Sequence, residues 1–505
     1  MTQESPAILS SNKQRLLDRY KSGYKSPARQ ASEGIPRRTC GNVAPQSLNE
    51  EQVWTHVQMM GDTPAYNELI TIHYRGPFNP QVLESALDEL IRRHEIWRTT
   101  FDMGEDEPVQ IIHDSAPPVK LRVFDLRPLP PAERAAESKR LATGDALAPF
   151  RLKELPLWRG ILVRMGDQEI HLHLNLHQLI MDGASAYHIL LPELSAIYQA
   201  FSEGKPSPLP DPGPQYADFS VWQRRTLTDQ ALAPHLAFWK RNLANPAAPL
   251  AWPNTKPRPA IQTYHGATEM LFLPLEVLDP LRALAASQSA TLFMALAAGF
   301  YVLLHRYTGQ TDITLGTPAA SRTTENERIM GYFLNLMPVR VDLSGNPSFA
   351  EALQRVRTSV LDALEHGSVP LLRLLREIRP AYDPSRNPLF QIMISLEPPP
   401  VPSMDPAWDL TQSGASSGST KMDMYLNLDT RPDGLMSPIM YNPDLLDPAD
   451  VRQMFADWRV LLEGAIANPD CPISDLPLPV HSGKTQSEPA PAMSFTGKIR
   501  GWFGR

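Results

Sequence analysis

Residues Asp167–Leu179 alternate with a period of two: His171, His173, Asn175 and His177 fall on one side, Leu172, Leu174, Leu176 and Gln178 on the other. Such a period belongs to an extended strand, so one face of this segment packs on a core while the other carries imidazoles and an amide. The alternation gives out in His177-Gln178-Leu179-Ile180-Met181-Asp182-Gly183, and Ala184–Phe201 then reads as a helix. Gly183 lets the chain turn sharply between the two. The fold must therefore hold a strand, a polar turn and a helix in direct succession.

The rest of the chain continues in the same mixed style. Leu83–Arg93 carries Leu83, Ala86, Leu87, Leu90 and Ile91 at helical spacing. Tyr216–Trp222 follows the Pro206–Pro214 connector, and Leu232–Leu243 has a helical pattern again. A second mixed region begins near Tyr264, with strands expected at Thr268–Leu273, Asp312–Gly316, Phe390–Leu396 and Met422–Leu428. Helices are expected there at Leu275–Ser287, Thr291–Thr308, Ser348–His366, Pro370–Ile378 and Pro448–Ala467. At 505 residues the chain exceeds one ordinary core, so two lobes of roughly 200 residues each are expected. They are placed at 44–225 and 264–480, with a connector at 226–263, a basic tail or docking segment at 1–43 and a tail at 481–505.

Charge and cysteine content narrow the function classes. A net charge of −7 gives no reason to expect nucleic acid, although Arg15, Arg19, Lys21, Arg37 and Arg38 locally reverse the sign near the start. Cys40 and Cys471 cannot form a disulfide framework and fit a reducing cytoplasm. The start lacks the apolar stretch of a signal peptide, and Leu292–Leu304 is too short for a transmembrane segment and reads as a buried helix. His171, His173 and His188 are not accompanied by a ligand-spaced Cys or carboxylate cluster, so no metal site is expected.

Eight further segments occur in an order that points to one family. They are Ser47–Trp54, Arg93–Phe101, Tyr216–Trp222, Gly316–Arg322, Met330–Asn335, Asp383–Phe390, Lys421–Asp423 and Tyr441–Asp447. With the His177–Gly183 motif they resemble the condensation domains of nonribosomal peptide synthetases, in the chloramphenicol acetyltransferase-like superfamily. That family's motif reads HHxxxDG; here Gln178 stands in place of its second, catalytic histidine. A histidine exchanges a proton near neutral pH, whereas a carboxamide only donates and accepts hydrogen bonds.

The resemblance implies an α/β fold of two acetyltransferase-like lobes in a V-shaped pseudo-dimer, with a tunnel between them. It implies a monomer, since the two lobes supply the interface that related enzymes build between subunits. No cofactor would be bound; the phosphopantetheine arms of acyl and peptidyl carrier proteins would enter as substrates, with the carriers recruited in trans. His177 matches the histidine that holds the loop, with a substitute base or a plain core histidine as alternatives. Asp182 matches an architectural carboxylate that needs a cation, for which Arg98 is the first candidate and Arg322 the second. Asn335 matches the tunnel floor, against plain core packing, and Trp222 a packing residue beside the tunnel. The first 43 residues and Ser494–Arg505 are candidate docking segments for a partner or a membrane surface.

Three activities are consistent with these residues. The first is amide or ester formation on carrier-bound thioesters, with Gln178 orienting a group it cannot deprotonate. The second is a non-catalytic module that recruits carriers or tailoring enzymes. The third is acyl transfer from acyl-coenzyme A to a small molecule.

Overall fold

The computed structural model describes residues 34–479, apart from 62, 253–255, 398–404 and 413–416. The first half supplies β1 (Val43–Pro45), β2 (Asn67–Arg75), β3 (Thr99–Met103), β4 (Pro108–Ile112), β5 (Arg122–Asp125), β6 (Trp158–Gly166) and β7 (Glu169–His177). The second supplies β8 (Ala267–Pro274), β9 (Asp312–Ala320), β10 (Leu334–Asp342), β11 (Ile392–Leu396), β12 (Trp408–Gln412), β13 (Met424–Arg431) and β14 (Gly434–Tyr441). Three sheets result, in the orders β1-β4-β3, β12-β2-β7-β6-β5 and β10-β9-β11-β13-β14-β8.

The alternating strand is β7, placed between β2 and β6 and antiparallel to both. Its leucines Leu172, Leu174 and Leu176 are fully buried in the first core, beneath the helices Pro80–Arg93 and Leu191–Ser202. The second core is built around the helix Leu292–Thr308, whose residues Phe293–Leu304 are buried throughout. Among the described residues no single helix is long and apolar enough to cross a membrane.

Three segments bind the halves together. Strand β12 leaves the second half and pairs along β2, adding an edge to the first sheet. Residues Ile329, Met330, Tyr332 and Phe333 insert into the first core. Helix Asp229–Asn242, in the expected connector, buries Leu232, Leu236 and Trp239 in the second core. The start also differs from a free tail. Ile35 is buried, and Arg38 pairs with Glu95 and Asp218. The rest of that segment, residues 1–33, and all of Ser494–Arg505 lie outside the described residues.

Most elements of the second half fall within a few residues of their sequence patterns; Leu275–Ser287 and Pro448–Ala467 coincide with theirs. Strands β10, β12 and β14 have no counterpart among the expected strands there. Two of them contain prolines, Pro338 and Pro438, which argue against a strand. Pro338 is tolerated because β10 is an edge strand. Pro438 lies where the β13–β14 ladder is interrupted between Ile439 and Met436.

Candidate functional site

Strand β7 ends at His177, two residues before the sequence pattern suggests, and Gln178–Ile180 form a tight 3₁₀ turn. The turn removes Gln178 from the leucine face. His177 is 3% exposed, and its Nδ1 accepts the Leu179 backbone N–H at 3.2 Å. That bond uses the Nδ1 lone pair and assigns the ring proton of the neutral form to Nε2. Burial, reinforced by the nearby Lys421 charge, lowers the His177 pKa to about 3. A ring so placed holds the turn.

Asp182 caps the following helical turn by accepting the Ser185 N–H at 2.8 Å. Its cation is Arg322, whose Nη2 lies 2.8 Å from Oδ1 and whose Nε lies 3.3 Å from Oδ2. Asp182 also accepts the Phe333 N–H at 3.2 Å. Arg322 in turn donates to the Ile329 carbonyl and the Ser185 hydroxyl and stacks over the Phe333 ring at 4.2 Å. A buried ion pair holds only when its remaining donors and acceptors are used, and here they are. The pair clamps the motif turn of the first half to residues 322–333 of the second.

This corrects the first choice of partner. Arg98 donates to the His113 carbonyl and lines a cleft of about 580 Å³ with Arg37, Arg92, Arg93 and Glu89. The residues around that cleft include none of the motif. Arg98 closes the 3₁₀ turn Glu95–Arg98, where its guanidinium is engaged by the His113 carbonyl rather than by Asp182. Gly183 likewise does not adopt a left-handed conformation; it is the first residue of the helical turn that Asp182 caps. The tight glycine is Gly331, where φ is +156° and a Cβ would lie 1.9 Å from the Tyr216 ring.

Asn335 is buried and donates to the Gly367 and Val369 carbonyls while its Oδ1 accepts the Leu371 N–H. It therefore ties together the link between helices Phe349–Glu365 and Leu371–Ile378. Trp222 is half-buried and packs beside Phe219 against the first core. His173, expected on a half-exposed face, is buried between Thr71 and Ser138, because helix Pro131–Ala146 covers that side of the sheet. Among the described residues no group of three or more His, Cys, Asp or Glu side chains could hold a metal ion.

Gln178 meets the second half through Lys421, whose ammonium donates to its Oε1 at 2.7 Å. The same ammonium pairs with Glu68 at 3.2 Å and lies 4.5 Å above the Tyr66 ring. Lys421 is fixed from behind. Asn387 donates to its carbonyl at 2.7 Å, and two residues on, buried Asp423 binds Arg258. Tyr66 reaches further, its hydroxyl 2.6 Å from His56 Nδ1. With its oxygen engaged by a cation, the Gln178 amide turns its Nε2–H₂ donors elsewhere. Both Gln178 and Lys421 keep accessible surface, so a substrate atom can reach them. Nearby, burial raises the half-buried Glu397 carboxyl to about 7, against a hydrogen bond from Asn427.

The arrangement is a pair of donors and a cation at a junction of two lobes, locked from below by an ion pair. A condensation-domain family model matches residues 44–486. The chain belongs to the condensation domain family. Among its relatives, chondramide synthase of Chondromyces crocatus is 36% identical over 440 residues, 86% of this chain and 11% of that synthase. Phosphinothricin tripeptide synthetase PhsC of Streptomyces viridochromogenes is 33% identical over 475 residues, 93% of this chain and 43% of the synthetase. This condensation domain thus spans less than half the length of either relative.

Solved structures agree on the two-lobed α/β fold. The X-domain from teicoplanin biosynthesis is 25% identical, with a TM-score of 0.75 over 89% of this chain and 99% of that one. The first condensation domain of the calcium-dependent antibiotic synthetase, solved with a substrate analogue, has a TM-score of 0.75 over 87% of this chain and all of that one. At 20% identity that likeness shows the fold.

Within this condensation domain, Lys421 contacts Gln178, and Glu68, Tyr66 and His56 follow from it in a chain of contacts that sequence reasoning misses. Lys421 carries a signal, since Lys421-Met422-Asp423 is one of the ordered segments. The other three have no motif around them, and only the meeting of helix Leu48–Met60, the 3₁₀ turn Pro64–Tyr66, β2 and the Lys421 loop brings them together.

Proposed function

We propose that this chain transfers an acyl group from a carrier-protein-bound thioester to an amine or hydroxyl, forming an amide or ester in nonribosomal peptide or hybrid polyketide assembly. The substrates are carried on the phosphopantetheine arms of acyl and peptidyl carrier proteins. The observation that carries this reading is the Gln178 carboxamide, oriented by the Lys421 ammonium at 2.7 Å beside a turn locked by Asp182 and Arg322.

The chemistry follows from those groups. As the nucleophile adds to the thioester carbon, its carbonyl oxygen becomes an oxyanion. The Gln178 Nε2–H₂ and the Lys421 charge are preorganised donors for that oxygen, and one such donor is worth about 10²–10³ in turnover. Holding both thioester and nucleophile at the lobe junction contributes proximity on top of this. Gln178 does not take the nucleophile's proton.

A second reading is a non-catalytic module that recruits carriers or tailoring enzymes. It is favoured by the lack of a titrating group at position 178. Intact-protein mass spectrometry decides between them, using carriers loaded with acyl donor and amine or hydroxyl acceptor. Condensed product with wild type that disappears in Asp182→Ala supports acyl transfer. Carrier binding without product at any donor, acyl-coenzyme A included, supports recruitment.

A further inference from the structure

The site has an oxyanion donor but, at position 178, no proton acceptor. The other imidazoles of the motif strand are committed elsewhere. His177 spends Nδ1 on the Leu179 N–H, His173 has both ring nitrogens bonded, to Thr71 and to Ser138, and His171 lies further along the strand against Ser138 and the His73 ring. His188, on the helix after the motif, is exposed and close enough to Arg322 and Asp182 to feel both charges.

A different imidazole does reach the site. His56 lies on the helix Leu48–Met60, which packs against the Gln178–Ile180 turn. Its Nδ1 is 2.6 Å from the Tyr66 hydroxyl, and Tyr66 forms the floor beneath the ammonium that holds Gln178. On its other side the Nε2 faces the Tyr264 hydroxyl at 3.5 Å, with the two rings edge to face. His56 thus sits among residues from both halves and still keeps accessible surface.

We propose that His56, with the Tyr66 hydroxyl as relay, is the proton acceptor of this condensation domain, in place of the imidazole that position 178 lacks. The inference rests on the acyl-transfer reading above. In the forward step the acceptor nitrogen or oxygen forms a bond to the thioester carbon. Its proton passes to the Tyr66 oxygen as the Tyr66 proton moves to His56 Nδ1. When the tetrahedral intermediate collapses, the C–S bond breaks, and the departing thiolate takes one proton back from the His56 imidazolium through Tyr66. Both residues end as they began, and no oxidant or further reactant is consumed.

The protonation state suits the first half of this cycle. Burial and the Lys421 charge lower the His56 pKa to about 4, so the ring is neutral at pH 7, and in the tautomer that carries its proton on Nε2 the Nδ1 lone pair faces Tyr66. The Tyr66 hydroxyl is raised well above 10 by burial, so it stays protonated and passes a proton on only as it receives one.

The test compares single-turnover condensation and carrier affinity for wild type, His56→Gln, His56→Ala, Tyr66→Phe and the double variant His56→Ala/Gln178→His, with melting curves for each. His56→Gln keeps a side chain able to bond Tyr66 and so separates folding from chemistry. The expected result is a loss of about 10²-fold or more in both His56 variants at unchanged carrier affinity, with at least tenfold recovered in the double variant. Tyr66→Phe should fall with them. Turnover of His56→Gln within threefold of wild type overturns the assignment, as does a loss that the imidazole at position 178 does not recover. Absence of product with wild type would instead overturn acyl transfer itself, and this inference with it.

Discussion

Asp182 and Arg322, 140 residues apart and from opposite halves of the chain, form an ion pair 1% and 7% exposed at the side chains, with Nη2 2.8 Å from Oδ1. The pair ties the motif turn of one lobe to residues 322–333 of the other. Removing one member leaves a buried charge uncompensated, which costs about 3–5 kcal/mol. Arg322→Met and Asp182→Asn should therefore each lower stability by that order in chemical denaturation. Because each single change already breaks the pair, the double variant should lose much less than the sum of the two.

Lys421 acts on the site through Gln178 and Glu68. Lys421→Met should reduce kcat by about tenfold or more, because the Gln178 amide loses its orientation, while KM changes by less. Glu68 is 46% exposed at its side chain, so its released carboxylate is solvated and the melting temperature should change little. Gln178→Ala should lose about 10²–10³ in kcat, the value of one preorganised donor. An equal loss of carrier affinity in both variants would count against the donor role.

Stability should fall in mild acid. Burial lowers His171 and His177 to about 3 and His56 and His173 to about 4, against about 6.5 in an unfolded chain. Between those values the unfolded chain binds more protons, so this stabilisation is complete above pH 6.5 and is lost as pH falls towards 4. Burial raises Glu50 to about 8 and Glu397 to about 7, and these oppose the trend by losing stability as pH rises. A variant comparison isolates the histidine part. His173→Gln should have a shallower decline between pH 6.5 and 5 than wild type, by up to about 1.4 kcal/mol per pH unit. Urea denaturation across that range measures it.

Gly331 gives way to the Tyr216 ring, whose hydroxyl binds the Tyr332 carbonyl and the Ser47 hydroxyl. An added methyl would drive the segment 329–333 out of the first core. Gly331→Ala should cost about 1–3 kcal/mol or more and lower turnover with it, since the same segment carries the Arg322 and Asp182 bonds. Thermal denaturation and the product assay read the two effects.

Elements with a strong local signal were legible from sequence. Strand β7, helix Pro80–Arg93 and the buried helix Leu292–Thr308 carry their partners' geometry in their own spacing. The site was legible in part. His177, Asp182 and the ordered motifs were visible, but the choice between Arg98 and Arg322 was not, because both are arginines in family-like segments. Only the tertiary contacts separate the two, Arg98 ending on the His113 carbonyl and Arg322 on Asp182.

What the sequence determined by itself was the alternation that makes β7, the HQxxxDG turn, the absence of an imidazole at position 178 and the family to which these belong. All are local or ordered along the chain. The tertiary structure alone decided that Lys421 holds Gln178, that Arg322 neutralises Asp182 and that His56 and Tyr66 stand within reach. Lys421 is 243 residues from Gln178 and Arg322 140 from Asp182. Such pairings are set by how two cores and an exchanged strand pack, and a period of two or 3.6 residues carries no information about them.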